Sequence, residues 1–104
     1  MRRFDVFCNR ESTARHIPFF LLVQSELLHD LPTRVVVPLV RLGALKGPPA
    51  SMLNPEFEVE GVRVAMLTQQ LAGVPVGVLR TRVASLEDQR DAILRALDFL
   101  FSGI

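Results

Sequence analysis

The chain has 104 residues, of which 49% are hydrophobic and 22% charged, and its formal net charge is +1. So many apolar residues with almost no net charge exclude an intrinsically disordered chain. The near balance of cations and acids also provides no broad field that would attract nucleic acid. The length predicts a single domain, residues 1–104. The high apolar content favours an exposed apolar patch that a partner or a second copy of the chain would cover.

The uninterrupted apolar stretches are too short for a membrane span. The longest is seven residues, 17–23, and contains Pro18, whereas a bilayer requires about 18. The first residues lack the apolar core and cleavage site of a secretory signal. We therefore expect a cytoplasmic protein with no membrane partner. The single cysteine, Cys8, fits a reducing compartment, excludes an internal disulfide and is expected to fill a small space in the core.

The first forty residues predict three strands. Period-two character or dense aromatic and branched residues mark residues 3–8, 18–23 and 34–40. The polar run 9–16 predicts an exposed loop, and residues 27–33 predict a turn that carries two adjacent leucines. Pro38 favours a bulge or a sheet edge, because proline has no N–H to donate to a ladder.

The second half predicts a hairpin, a final strand and a helix. Glycine and proline make residues 43–55 an irregular connection. Residues 56–60 and 62–64 flank Gly61 as a hairpin, with Phe57 and Val59 on one face. The opposite face carries Glu56, Glu58 and Glu60. These glutamates predict a solvated face rather than a metal site, because they lie about 7 Å apart with no His or Asp to complete a shell. Residues 74–79 predict the last strand.

A long helix is predicted to close the chain. Ser85 is a candidate N-cap, and Asp88 would complete a capping box. A helix turns by about 100° per residue, which places four apolar side chains in one stripe along it. This stripe should pack on the sheet, and it consists of Leu86, Ile93, Leu97 and Leu100. Phe99 falls on the opposite face. Short strands, irregular turns and one terminal helix predict a mainly β (α+β) fold, a small antiparallel barrel or curled sheet with the helix across it.

No catalytic arrangement is evident in the sequence. The serines lie in no nucleophile elbow, His16 and His29 lack metal-ligand spacing, and no glycine-rich phosphate loop opens a helix. We therefore expect a protein that is not an enzyme and needs no metal or cofactor. The helix end remains as a candidate binding surface. Gly103 either caps the helix or lets a partner approach the backbone closely, and both interpretations remain open.

Short motifs in a defined order resemble a known family. They are Phe4-Asp-Val-Phe7 followed by Asn-Arg-Glu-Ser12, Val23-Gln-Ser-Glu26, Arg34-Val-Val-Val-Pro-Leu39, Met66-Leu-Thr, Val74-Pro-Val76 and the final Gly103-Ile104. Together they resemble the CcdB toxins of CcdA–CcdB toxin–antitoxin modules, and the resemblance covers nearly the whole chain.

The resemblance implies a homodimer with an SH3-like antiparallel barrel and a long C-terminal helix. Such proteins bind the A subunit of DNA gyrase and trap it on cleaved DNA, so they meet DNA only through gyrase or the antitoxin. A CcdA-like antitoxin with a disordered tail wraps the dimer and removes it from gyrase. The implied action is stoichiometric rather than catalytic.

The resemblance also implies site residues. The gyrase-binding positions are Leu27, Leu28, Asp98, Phe101, Ser102, Gly103 and Ile104. The antitoxin-binding positions are Arg10, Arg15, Ser102 and Ile104, with the loop from Gly43 onward as a further region. Well-known toxins carry Trp where this chain has Ser102, and Asn where it has Asp98. These differences leave open a homologue that binds antitoxin with weakened or lost gyrase poisoning. A second alternative is a Kid- or MazF-like ribonuclease, because those toxins resemble CcdB in fold and the chain offers His16 and scattered arginines.

Overall fold

The computed structural model describes residues 1–45, 47 and 50–103. Its seven strands are β1 Asp5–Cys8, β2 Phe19–Leu22, β3 Thr33–Arg41, β4 Glu56–Val59, β5 Val62–Met66, β6 Ala72–Pro75 and β7 Arg82–Ser85, and its C-terminal helix α1 is Arg90–Ser102. The strands form one antiparallel sheet in the order β4-β5-β3-β2-β1-β7, with β6 also paired to β3. This curled sheet with a C-terminal helix confirms the mainly β (α+β) prediction. No helix in the described ranges is long and apolar enough to cross a membrane.

Both faces of the sheet carry buried apolar side chains. Val6 and its neighbours on one face pack with Ile93 and Ala96 of α1 in the main core. Successive strand residues point to opposite faces, and Phe7 accordingly packs in a second cluster with Leu22, Val36 and Leu79. The alternation of side-chain direction predicted for β1 therefore places Val6 and Phe7 in two different apolar clusters. Cys8, at the end of β1, is only half-buried.

Pro38 lies in the interior of the sheet, so the predicted edge position is wrong. Its strand, β3, pairs with β2 without a register shift, and Pro38 is opposite Phe20. On the other side of β3, residues 33–36 pair with β6 and residues 39–41 pair with β5. Pro38 therefore falls where β3 changes partner, which is where a missing N–H costs no ladder hydrogen bond.

The hairpin between β4 and β5 is confirmed. Phe57 and Val59 are buried, whereas Glu56 and Glu58 are exposed. Glu60 and Gly61 form the two-residue turn with φ of 52° and 76°. Positive φ at both positions is typical of a type I′ turn, whose twist matches that of the paired strands.

The prediction of a last strand over residues 74–79 is wrong in its position. Strand β6 ends at Pro75, and a 3₁₀ turn at Val76–Val78 follows. Val76 N donates to Pro32 O at 3.0 Å, and Leu79 is buried in the second cluster. The last strand is instead β7, which pairs with β1. Its Arg-Val-Ala-Ser sequence has no strong strand pattern, so pairing to β1 decides its conformation.

The helix begins later than the sequence predicts. A 3₁₀ turn at Glu87–Gln89 precedes α1. Ser85 Oγ accepts a hydrogen bond from Glu87 N at 3.2 Å, so Ser85 satisfies one N–H of the 3₁₀ turn. Of the predicted stripe, Leu86 and Ile93 are buried and Leu97 is half-buried against the core. The small Ala96 is also buried there.

Candidate partner-binding surfaces

The end of α1 is capped by glycine. Gly103 has φ 70° and ψ 20°, the left-handed conformation, and its N–H donates to Phe99 O at 2.9 Å. Glycine enters this region without the penalty that a Cβ imposes. The capping interpretation is therefore confirmed, and the contact interpretation remains a prediction. Ile104 lies outside the described residues.

The last turns of α1 expose side chains that the core does not use. The buried residues of the helix are Ile93 and Ala96, both in its first two turns. Phe101 is 72% exposed, and Asp98 and Ser102 are exposed as well. The predicted site residues of the helix therefore lie together within its last two turns, next to the Gly103 cap.

The adjacent leucines, Leu27 and Leu28, lie in a turn that is separate from the end of α1. Residues Glu26–Leu28 form a 3₁₀ turn in which Ser25 Oγ accepts a hydrogen bond from Leu27 N at 3.2 Å. Leu27 is 91% exposed and Leu28 is 49% exposed. An exposed ion pair between Arg2 and Glu26, with Nε and Oε1 3.5 Å apart, flanks the turn.

Leu27 lies beside the start of the helix rather than its end. It lines a surface depression together with Glu87 and Arg90. Phe101 follows Arg90 by eleven positions, which corresponds to about 16 Å along the helix axis. A partner that contacted both Leu27 and Phe101 of one chain would have to extend along α1.

The N-terminal loop is ordered around a buried asparagine. Asn9 is 3% exposed. Its Nδ2 donates to Thr13 Oγ1 at 3.0 Å and to Ile17 O at 2.7 Å, and its Oδ1 accepts from Glu11 N at 2.9 Å. The predicted exposed loop is therefore anchored at its first residue, and it contains a 3₁₀ turn at Ser12–Arg15. The cluster Asn-x-Glu-Ser-Thr is the only signal for this anchor in the sequence.

The two arginines of this loop are exposed but tethered. The Arg10 guanidinium donates to Thr81 Oγ1, and the Arg15 carbonyl accepts from Arg41 Nε at 3.1 Å. Both head groups remain on the surface. The tethers connect this loop to the segment before β7 and to the end of β3. The first contact holds the Arg10 guanidinium, and the second holds the Arg15 backbone rather than its guanidinium.

Groups capable of metal or redox chemistry are dispersed. Within residues 1–45, 47 and 50–103, no three His, Cys, Asp or Glu side chains are placed to hold a metal ion. His29 is exposed and lies 3.3 Å from Asp30. Cys8 Sγ lies 3.8 Å from Asn9 O.

The fold and its exposed surfaces define a small mainly β protein with candidate contact residues at a helix end, on an apolar turn and on a basic loop. The family model described as CcdB protein matches residues 3–103. The match covers nearly the whole chain, and the chain therefore belongs to the CcdB family. Members of this family are toxins of toxin–antitoxin modules, and the family is not one of enzymes.

Proposed function

We propose that this chain is the toxin of a CcdA–CcdB-type module that binds the A subunit of DNA gyrase and traps the gyrase–DNA cleavage complex. The exposure of Phe101 is the observation that carries the proposal beyond family membership. An aromatic side chain that is 72% exposed at a helix end contributes little to the core. Large apolar side chains of this kind act as anchors when a partner covers them.

The proposed gyrase surface combines two exposed groups. Phe101, Ser102 and Gly103 contribute from the end of α1, with Asp98 one turn earlier. Leu27 and Leu28 contribute from the 3₁₀ turn beside the start of the helix. The separation along α1 favours a gyrase contact that is elongated or that uses both copies of a dimer.

Homodimerisation is part of the proposal. Strand β6 and Val76 form an uncharged surface, most of which is exposed in the single chain. The second copy would cover apolar surface of this kind, which a monomer seldom leaves open.

The antitoxin is proposed to bind the basic N-terminal loop and the helix end. Arg10 and Arg15 present cations to an acidic, initially disordered tail, and Ser102 and Ile104 extend the contact. Coupled folding of such a tail is compatible with exchange between antitoxin and gyrase. Action on gyrase requires that the toxin be cytoplasmic.

A gyrase cleavage assay tests the proposal. Purified dimer is incubated with gyrase, ATP and supercoiled plasmid, and covalent complexes are released with detergent and protease. We expect linear DNA that accumulates with toxin dose. No linear DNA at high dose, from a protein confirmed to be a folded dimer, would exclude poisoning.

Ser102 supports one alternative, an antitoxin-binding homologue that has lost poisoning. A serine lacks the π face that could stack on a gyrase arginine. Expression in gyrase-sensitive and gyrase-resistant cells separates the two functions. Growth arrest confined to sensitive cells supports poisoning, whereas equal growth together with antitoxin binding supports the alternative.

A further inference from the structure

The segment that carries the adjacent leucines is not anchored by apolar burial. It lies between β2 and β3, and residues 25–32 are here called the leucine turn. Residues 26–32 are all exposed, and Leu27, Leu28 and Leu31 are 91%, 49% and 48% exposed. A segment with so few buried contacts opens at low free energy unless hydrogen bonds hold it. The conformation of the leucine turn therefore depends on its polar contacts.

Gln24 connects the leucine turn to β3 through its side-chain amide. Its Nε2 donates to Leu28 O at 3.2 Å and to Thr33 O at 3.3 Å, and its Oε1 accepts from Val35 N at 3.0 Å. A primary amide has two N–H donors and one carbonyl acceptor, so every polar group of this side chain is used within the segment. The preceding residue, Val23, is buried and its N–H donates to Val35 O at 3.1 Å. The bridge to Leu28 thus begins from a fixed part of the backbone.

Arg34 makes a second connection, from the start of β3. Its Nη2 donates to His29 O at 2.7 Å, and its Nη1 donates to Thr33 O at 3.0 Å and to Leu31 O. None of the ion pairs within the described ranges involves Arg34. The planar guanidinium can reach several acceptors at once, and hydrogen bonds from a charged donor are the stronger ones. The Arg34 side chain therefore holds three carbonyl groups of one exposed segment.

The two side chains hold consecutive carbonyl groups. Gln24 binds the carbonyl of Leu28 and Arg34 binds that of His29, so the backbone directly after Leu27 is fixed from both sides. The remaining backbone bonds of the 3₁₀ turn are local, such as Leu28 N to Ser25 O at 3.1 Å. Local bonds shape the turn, whereas Gln24 and Arg34 connect its middle to the sheet.

We propose that Gln24 and Arg34 are positioning residues, which hold the leucine turn in the conformation that presents Leu27 and Leu28 to gyrase. The inference rests on the proposed function, because that proposal assigns gyrase as the partner of these leucines. A surface segment that is ordered before it binds loses less conformational freedom in the complex. Neither Gln24 nor Arg34 has to touch gyrase in this role.

Gln24→Glu removes the donors of the amide and keeps an acceptor. One carboxylate oxygen can still accept from Val35 N, whereas the other replaces Nε2 and faces the carbonyl oxygens of Leu28 and Thr33. The variant therefore breaks the bridge to the leucine turn while the contact within β3 remains.

Arg34→Lys keeps the positive charge and removes the planar fork. A single ammonium group cannot reproduce the arrangement of donors that binds the three carbonyl groups. Arg63→Lys is the matched control, since the Arg63 side chain is 56% exposed. It lies on β5 beside Val64, which pairs with Arg41 at the opposite end of β3 from Arg34.

Fast amide hydrogen exchange, measured by NMR on the isotopically labelled protein, tests the order of the leucine turn without gyrase. We expect the amides of Leu28, His29 and Leu31 to exchange about threefold faster or more in Gln24→Glu and in Arg34→Lys. The amide of Val37, in the buried part of β3, should not change. Arg63→Lys should leave all of these rates unchanged, and melting temperatures check that every variant is folded.

Binding to immobilised gyrase tests the consequence for recognition. Gln24→Glu and Arg34→Lys should each weaken the affinity about two- to tenfold, which corresponds to the cost of ordering one or two side chains. Arg63→Lys should bind as the unsubstituted protein does. In a Leu27→Ala background, Arg34→Lys should cost less than in the unsubstituted chain, because part of the group that it positions is gone.

Each other outcome overturns a stated part of the inference. Unchanged exchange in the leucine turn would overturn the positioning role. Unchanged exchange with losses of affinity that multiply in the double variant would replace it with a direct contact between Arg34 and gyrase. Faster exchange at Val37 with a lower melting temperature would replace it with a role in the fold. If the unsubstituted protein does not bind gyrase, the proposed function fails, whereas the exchange rates still show whether these side chains order the turn.

Discussion

Arg82 Nε donates a hydrogen bond to Asp5 Oδ1 at 2.9 Å, joining the edge strand β7 to β1. Asp5 Oδ2 also accepts from Arg2 N at 2.8 Å, and the Asp5 side chain is only 4% exposed. The β1–β7 ladder shifts register between Val6 and Phe7. The carboxylate therefore holds β7 in place where the backbone ladder is irregular.

Arg82→Met should destabilise the fold. The substitution leaves the buried Asp5 carboxylate with one partner fewer, which costs about 1–3 kcal/mol. Urea unfolding of the purified protein measures the loss. Arg95→Met, at an exposed helix position, should change stability by no more than about 0.5 kcal/mol. Equal losses in both variants would show that the ion pair contributes nothing specific.

Asn9→Ala should loosen the N-terminal loop. It removes the groups that bind Thr13, Ile17 and Glu11, and the expected cost is about 1–3 kcal/mol. Urea unfolding measures that cost, and hydrogen exchange of the Ile17 amide reports the loop directly. Ser12→Ala, at an exposed position of the same loop, is the matched control. Unchanged exchange in Asn9→Ala would contradict the anchoring role.

Gly103→Ala should lower stability through backbone conformation alone. A Cβ at Gly103 would meet nothing within 4 Å, but the left-handed conformation costs a residue with a Cβ about 1–2 kcal/mol. Asparagine tolerates that conformation better, so Gly103→Asn should lose less. Thermal unfolding distinguishes the variants. Gly43→Ala, which also has open space but no positive φ, should be neutral, and a loss there equal to that at Gly103 would contradict the capping role.

Phe101→Ser should reduce gyrase poisoning without unfolding the protein. Burial of a phenylalanine in a partner contributes about 1.5–3 kcal/mol, which corresponds to about ten- to more than hundredfold in dose. Linear DNA in the cleavage assay measures the effect. Met52→Ser changes another apolar side chain, which is 43% exposed in the single chain. This control variant should produce as much linear DNA in the gyrase assay as the unsubstituted protein. A melting temperature that fell with Phe101→Ser would instead assign Phe101 a role in the fold.

Ser102→Trp should strengthen poisoning. An indole restores the aromatic plane of well-known toxins at this position, and a contact with a cation contributes about 0.5–2 kcal/mol. The toxin dose for half-maximal cleavage should then fall about two- to thirtyfold. Ser102→Leu supplies apolar area without the π face and should gain less. If the leucine variant gains as much, stacking is not the cause.

The sequence predicted most elements because their patterns are local. The alternation in Glu56–Val59, followed by Gly61, identifies the hairpin with its buried and exposed faces. The motifs also indicate the CcdB family. The strand Arg82–Ser85 escaped prediction because its short, mixed sequence becomes extended only through pairing with β1. The buried position of Asn9 depends on partners that its polar neighbours do not reveal.

For the candidate site residues too, the sequence indicates some properties and leaves others to the tertiary structure. The exposure of Leu27 and Phe101 could be anticipated, since each lies in a segment whose other apolar residues suffice for the core. The position of Leu27 beside the start of α1 could not, because the packing angle between a turn and a helix depends on the whole sheet. His16, Arg41 and Arg63 line one surface depression, although no sequence spacing connects these three residues.

Local patterns in the sequence predict short strands and one terminal helix in an apolar, nearly neutral chain, because hydrophobic periodicity and turn residues act over a few positions. Tertiary structure decided which strand closes the edge of the sheet, where β3 changes partner at Pro38, and which cations share a surface. These features depend on contacts between residues far apart in the chain, such as Asp5 with Arg82. Their geometry is established only when the sheet curls and the helix packs on it.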